Sequence, residues 1–278
     1  MPAQHRCALA ALAVALVAVA CASAGSTQET AAEALDRVIA DGHRSAADRA
    51  RDVYRHPKET LLFFGLRPQM QVVEIWPEPG WYTQIIAPFV KGQGKYYAAL
   101  SVPHPDNAYV TARIKDFDDK FAAHPEMYGK IELTTFGPGA GDIAPPGSVD
   151  MVVTFRNIHN WMAAGWAPQA FAYMYKALKP GGILGVVEHR GNPELPQDPK
   201  AKNGYVREDE AIRLIESQGF ALVEKSEINA NPKDTKDYPQ GVWTLPPVYR
   251  LGDKDKEIYA AIGESDRFTL KFVKPKTK

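Results

Sequence analysis

The chain has 278 residues, 45% hydrophobic and 24% charged, a composition that excludes a disordered or fibrous chain and suits one globular domain with a sizeable core. Its 33 Lys and Arg balance 33 Asp and Glu, so there is no sequence-wide attraction for nucleic acid or an acidic membrane, and no nucleic-acid partner is expected.

At the N-terminus, His5 and Arg6 precede an apolar run, Ala8 to Ala20, and then small residues through Gly25. A basic start, a short apolar stretch and an Ala22-Ser23-Ala24 exit describe a secretory signal over residues 1–24, and hence an exported, periplasmic protein. The run is shorter than the roughly 20 apolar residues of a membrane-spanning helix, and no other run follows that could span. Cys7 and Cys21 are the only cysteines, which leaves the chain after the signal without an internal disulfide. Ala18-Val19-Ala20-Cys21 resembles a bacterial lipoprotein box, in which the signal would end at residue 20 and Cys21 would carry a lipid anchor. Soluble and lipid-anchored forms both stay open.

Residues 25–58 read as a linker and an N-terminal helical segment ahead of the main domain, 59–278. Within that segment Ala31 to Tyr54 is helix-prone, with Ala34, Leu35, Val38 and Ile39 at helical spacing. Pro57 disfavours helix at His56. A short helix, Glu59 to Phe64, ends at Gly65. Strands are then expected at 71–76, 95–100, 131–136, 149–155, 183–188, 221–228 and 268–273. Helices are expected at 81–90 (amphipathic), 109–121, 168–178 and 208–218. This alternation predicts an α/β protein with a Rossmann-like, doubly wound, mostly parallel sheet flanked by helices. An insertion rich in Pro, Asp and Lys, 229–266, separates the last two strands and is long enough to be a lid.

In open parallel sheets, ligands bind outside the carboxyl ends of the strands. That rule selects Trp76 to Thr83, Arg156 to Trp161, Glu188-His189-Arg190 and Asn229-Ala230-Asn231. His159 and His189 are candidate catalytic bases, because imidazole titrates near neutrality; Glu188 and Asn160 flank them. Trp161, Arg190, Asn229 and Asn231 are candidates for the substrate. His159, His189 and Glu188 have ligand types that suit zinc or iron but no recognised metal spacing, so no metal is assigned.

Leu66-Arg67-Pro68 leading into Val72-Val73-Glu74-Ile75, then Gly80 and a helix with Ile85 and Ile86, looks like the first motif of class I S-adenosylmethionine-dependent methyltransferases. Asp142-Ile143 and the run Pro146 to Val152 resemble that family's adenine-contacting segment and fourth strand. Ala177 to Leu184, through Lys179-Pro180-Gly181-Gly182, resembles the turn into its fifth strand, and Gly219-Phe220 its last helix-to-strand turn. The likeness covers nearly all of residues 60–275, in the manner of a bacterial, exported subgroup. It implies the class I methyltransferase fold, S-adenosylmethionine as cofactor and methyl transfer to a small-molecule substrate.

The resemblance also implies residue roles. Glu74 would orient the amino group of the methionine moiety, and Gly80 would let the backbone approach the cofactor. Asp142 would accept from the adenine amino group, with Ile143 beside it. Phe155, Arg156 and Asn157 would line the cofactor floor. Trp76, Tyr82, Thr83 and Ser101 complete the cofactor set; the rings of Trp76, Trp81, Tyr82 and Trp161 could hold a sulfonium by cation–π contact or equally be pocket walls or core. His56 lies where such enzymes close over the substrate. Two features depart from the family: Trp76 and Glu78 replace the first two glycines of its first loop, and the acid that ends its second strand is missing, with Ser101 nearest. The alternatives are an exported ligand-binding protein on this fold, and a hydrolase or lyase using His159, Glu188 and His189.

Overall fold

A computed structural model describes residues 29–103 and 107–276. The expected signal, residues 1–24, and the expected anchor, Cys21, lie outside the described residues. Among the described residues, no helix is long and apolar enough to cross a membrane.

The N-terminal segment forms α1 (Ala31–Ala40), α2 (Ala46–Arg49) and α3 (Asp52–Arg55) rather than one helix. The break has local causes. Asp41 turns extended after α1, and Ser45 caps α2 by accepting from the Asp48 amide. Buried Arg44 bridges the break through Asp52, at 2.8 and 2.7 Å. Next come α4 (Pro57–Phe64), β1 (Gln71–Ile75), α5 (Thr83–Val90), β2 (Lys95–Ser101) and α6 (Ala108–Phe117), which runs on into one π-helical turn, Asp118–Ala122. Then follow α7 (Pro125–Tyr128), β3 (Ile131–Phe136), β4 (Val149–Phe155), α8 (Ile158–Ala164), α9 (Ala167–Ala177) and β5 (Leu178–His189). The chain closes with α10 (Glu208–Glu216), β6 (Ala221–Ser226), α11 (Lys256–Ile262) and β7 (Arg267–Val273).

The seven strands form one sheet in the order β3-β2-β1-β4-β5-β7-β6. The first five are parallel; β7 runs antiparallel between β5 and β6. Order reverses between β1 and β4, which pair directly, so a crevice opens at their carboxyl ends.

Strand alternation divides the core into two layers. Val72, Met151 and Val153 face one layer with Leu35, Leu61 and Ile85. Val73, Ile75 and Val152 face the other with Trp161, Phe171 and Ile215. The N-terminal segment thus packs on the same core as the sheet. Helix α5 is not amphipathic as expected: seven of its eight residues are buried, because α1 covers the side that would otherwise meet water. The insertion after β6 is packed rather than loose. Asn229 Nδ2 donates to Thr60 Oγ1 and Thr269 Oγ1, and Tyr205 Oη donates to buried Asp234.

Candidate functional site

A cavity of about 1620 Å³ opens at the carboxyl ends of β1, β2 and β4, roofed by the insertion. Its floor begins with two strained residues. Trp76 directly follows β1 with φ +47°, and Arg156 directly follows β4 with φ +61°. Side-chain-bearing residues avoid this left-handed region, and where they occupy it the surroundings impose it, often at a working site. At Trp76 the turn is one that glycine would make most easily. The indole swings down into the core layer, where Nε1 donates to the Phe136 carbonyl at 2.8 Å and the ring meets Phe136, Trp161 and Trp166 edge-on. The side chain therefore forms a wall of the cavity instead of a plug.

Glu74, at the end of β1, is 3% exposed and accepts from Tyr96 Oη at 2.5 Å and Thr83 Oγ1 at 3.1 Å. Burial pushes its carboxyl up to about 8, against the pull of those two hydrogen bonds. A second carboxylate stands beside the end of β2: Glu78 Oε1 accepts from the Ser101 amide at 3.0 Å and faces the cavity. The loop after β1 thus brings a carboxylate to the end of β2, which has none of its own. Tyr82 stacks on Phe155 with centroids 3.6 Å apart and planes 8° from parallel, and Asn157 Nδ2 donates to the Ile75 carbonyl at 3.0 Å.

The histidines meet at the ends of β4 and β5. Glu188, 0% exposed, accepts from the amides of Ile158 at 2.5 Å and His189 at 2.8 Å and, more weakly, of His159 at 3.4 Å. It also accepts from His159 Nδ1 at 3.1 Å. Nδ1 of His159 is thus turned to Glu188, and Nε2 is left without a hydrogen-bond partner among the described residues, on a residue that lines the cavity. His189, its ring centred 5.4 Å away, shares a hydrogen bond with Ser265 Oγ. Burial, then the neighbouring His159 and Arg267, hold His189 well below the usual range, so it is neutral. Ligand atoms of His159, Glu188 and His189 lie within 4.8 Å of one another, close enough to hold a metal ion. Glu188, however, has both oxygens taken by N–H donors, which suits it to orienting His159 more than to binding metal.

Of the expected site residues, Glu74, Trp76, Tyr82, Ser101, Phe155 and Arg156 line the cavity, together with Asn157, His159, Asn160 and His189. Others lie elsewhere. Asp142 is at the surface, paired with Lys176 at 2.5 Å, and Ile143 is in the core with its carbonyl on Thr134. Gly80 faces Phe121, whose ring would lie 2.1 Å from an added Cβ; glycine there admits that ring. Trp161 is wholly buried, because it shares one face of α8 with Ile158. Thr83 touches Glu74 from within the core. Arg190 pairs with Glu227 at 2.6 Å, while Asn229 and Asn231 hold the insertion in place. His56, at φ +38°, serves the turn between α3 and α4. Sequence reasoning placed Glu78 in a selected span but gave it no role, and assigned none to Arg51, Arg55, Trp243, Glu264 or Arg267; all six line the cavity.

No protein-family model matches the chain, and neither does any curated protein. Solved structures do. A SAM-dependent methyltransferase from Aquifex aeolicus superposes with TM-score 0.54 at 14% identity, covering 81% of this chain and 93% of that one. The cyclase SpnF gives 0.58 at 13%, covering 86% of each chain. A SAM-dependent methyltransferase from Methanosarcina mazei gives 0.51 at 14%, covering 78% of this chain and 98% of its own. At such identities the likeness shows the fold, the Rossmann-like α/β architecture of class I methyltransferases. One of the three is named a cyclase, so the chemistry has to be argued from the site.

Proposed function

We propose that the protein is an S-adenosylmethionine-dependent methyltransferase acting on a small molecule held in the cavity. The observation that carries this reading is the pair of carboxyl groups, Glu74 and Glu78, at the adjoining ends of β1 and β2, on the cavity side of a methyltransferase-type sheet. They fit the cofactor: Glu78 offers acceptors for the ribose hydroxyls, and Glu74 for the ammonium of the methionine moiety. Bound there, the cofactor supplies an electrophilic methyl group on a sulfonium. The chain's own part is alignment, worth roughly 7–11 kcal/mol at its upper limit. The stacked Tyr82 and Phe155 rings and the indole of Trp76 give the cavity its apolar walls. His159 Nε2 is the base for an acceptor that must lose a proton, with Glu188 stabilising the imidazolium that results. An exported methyltransferase of the bacterial type follows if residues 1–24 act as a signal.

Calorimetric titration with S-adenosylhomocysteine tests the reading. Micromolar binding that falls about tenfold in Glu78→Gln is expected, since a charge-assisted hydrogen bond is exchanged for a neutral one. No binding up to millimolar ligand would overturn it.

A further inference from the structure

Part of the cavity is used by neither the carboxyl pair nor the histidines. Arg51 and Arg55 from the N-terminal segment, Arg156 after β4 and Arg267 at the start of β7 all line it. One carboxylate, Glu264, sits among them. Arg51 Nε donates to its Oε1 at 2.6 Å, Arg55 Nε to its Oε2 at 3.2 Å, and Arg267 Nη2 also to Oε2. Burial pushes the Glu264 carboxyl up, but the attraction of Arg267, Arg55 and Arg51 outweighs it, so Glu264 is ionised.

One negative charge does not balance four guanidinium groups. The other cavity carboxylates are engaged elsewhere: Glu74 with Tyr96 and Thr83, Glu78 with Ser101, Asp48 with Ser45 and Gln84. The guanidinium of Arg156 makes no hydrogen bond or ion pair among the described residues, and burial and Arg267 lower its affinity for a proton. Arg55 and Arg267 are 3% and 2% exposed, yet Arg55 Nη1 and Arg267 Nε have no partner. Buried positive charge without compensation is costly, and forked N–H donors match the oxygens of a carboxylate or phosphate.

We infer that this end of the cavity binds an oxyanion, a carboxylate or phosphate group carried by the molecule the protein acts on. Arg156 is its central donor, with Arg55 and Arg267 flanking it and Glu264 holding these two in place. Naming that molecule the methyl acceptor rests on the proposed function; the anion site itself does not.

The test uses the whole protein with inorganic phosphate and with benzoate, at an ionic strength held constant with chloride. Both anions are expected to raise Tm beyond the chloride control and to bind with sub-millimolar Kd. Arg156→Gln is expected to weaken both about tenfold, and Arg156→Lys, which keeps the charge but loses the fork, by less. Saturating S-adenosylhomocysteine is expected to leave anion affinity undiminished. Competition between the two would overturn the assignment, giving the arginines to the cofactor's own carboxylate. Stabilisation no greater than chloride provides would overturn it without any variant, as would unchanged affinity in a folded Arg156→Gln. A protein that binds S-adenosylhomocysteine but no anion would defeat this inference alone; the converse would defeat the proposed function alone.

Discussion

Glu74 sets a pH dependence that can be read in the folded protein without any ligand. Burial raises its carboxyl to about 8, whereas in the unfolded chain it titrates near 4.5. Between those values the folded state holds a proton that the unfolded state has lost, so Glu74 makes stability fall as pH rises through that window. Glu74→Gln keeps an acceptor for Tyr96 and Thr83 but carries no charge. Urea denaturation at pH 5, 7 and 9 should show its stability overtaking that of the parent towards pH 9; parallel curves would mean that Glu74 is ionised throughout. Glu188 is the opposite case, a buried carboxylate saturated by donors. Glu188→Ala leaves the amides of Ile158 and His189 and the ring of His159 without their acceptor. A loss of about 3 kcal/mol is expected from urea denaturation, given roughly 1–3 kcal/mol for each buried group left unsatisfied. The place of Asn157 and His159 at the cavity was legible because topology alone puts strand ends at the crevice, whereas Glu74 was named only through the family resemblance. The arginine cluster was not, since Arg55 and Arg267 are 212 positions apart in the numbering and no local pattern joins them.

Helix α4 and strand β5 meet through a glycine. A Cβ at Gly185 would lie 2.6 Å from the ring of Phe64, which is itself fully buried. Gly185→Ala should therefore cost about 1–3 kcal/mol through overpacking. Adding Phe64→Leu should recover part of the loss; a double variant as unstable as the sum of its parts would show that the clash lies elsewhere. Elements of this kind were largely legible. Each expected strand overlaps an observed one, because an apolar run between a helix and a turn has few other places to go in an α/β chain. What periodicity could not give was the break in the N-terminal helix, where Asp41-Gly42 and the Ser45 cap override good helical spacing. Nor did it give the rotation of α8. Arg156 through Trp161 looked like one cluster of pocket residues, but helical geometry sends Ile158 and Trp161 inward and His159 towards the cavity.

At the scale of the whole molecule, the sheet is completed late. Strand β7 lies between β5 and β6, burying Phe268, Leu270 and Phe272 in one core layer with Leu184 and Val186. The same strand opens with Arg267, while Arg51 and Arg55 come from the segment ahead of β1, so two segments far apart in the sequence meet at Glu264. This closure gives the ligand site a second meaning. Without either segment, Arg156 would stand in the cavity with neither Arg55 nor Arg267 beside it. By linkage, an anion bridging Arg55 and Arg267 would slow amide exchange in α3 and β7 together, so that a small molecule would act as a clasp between two segments that no local contact joins.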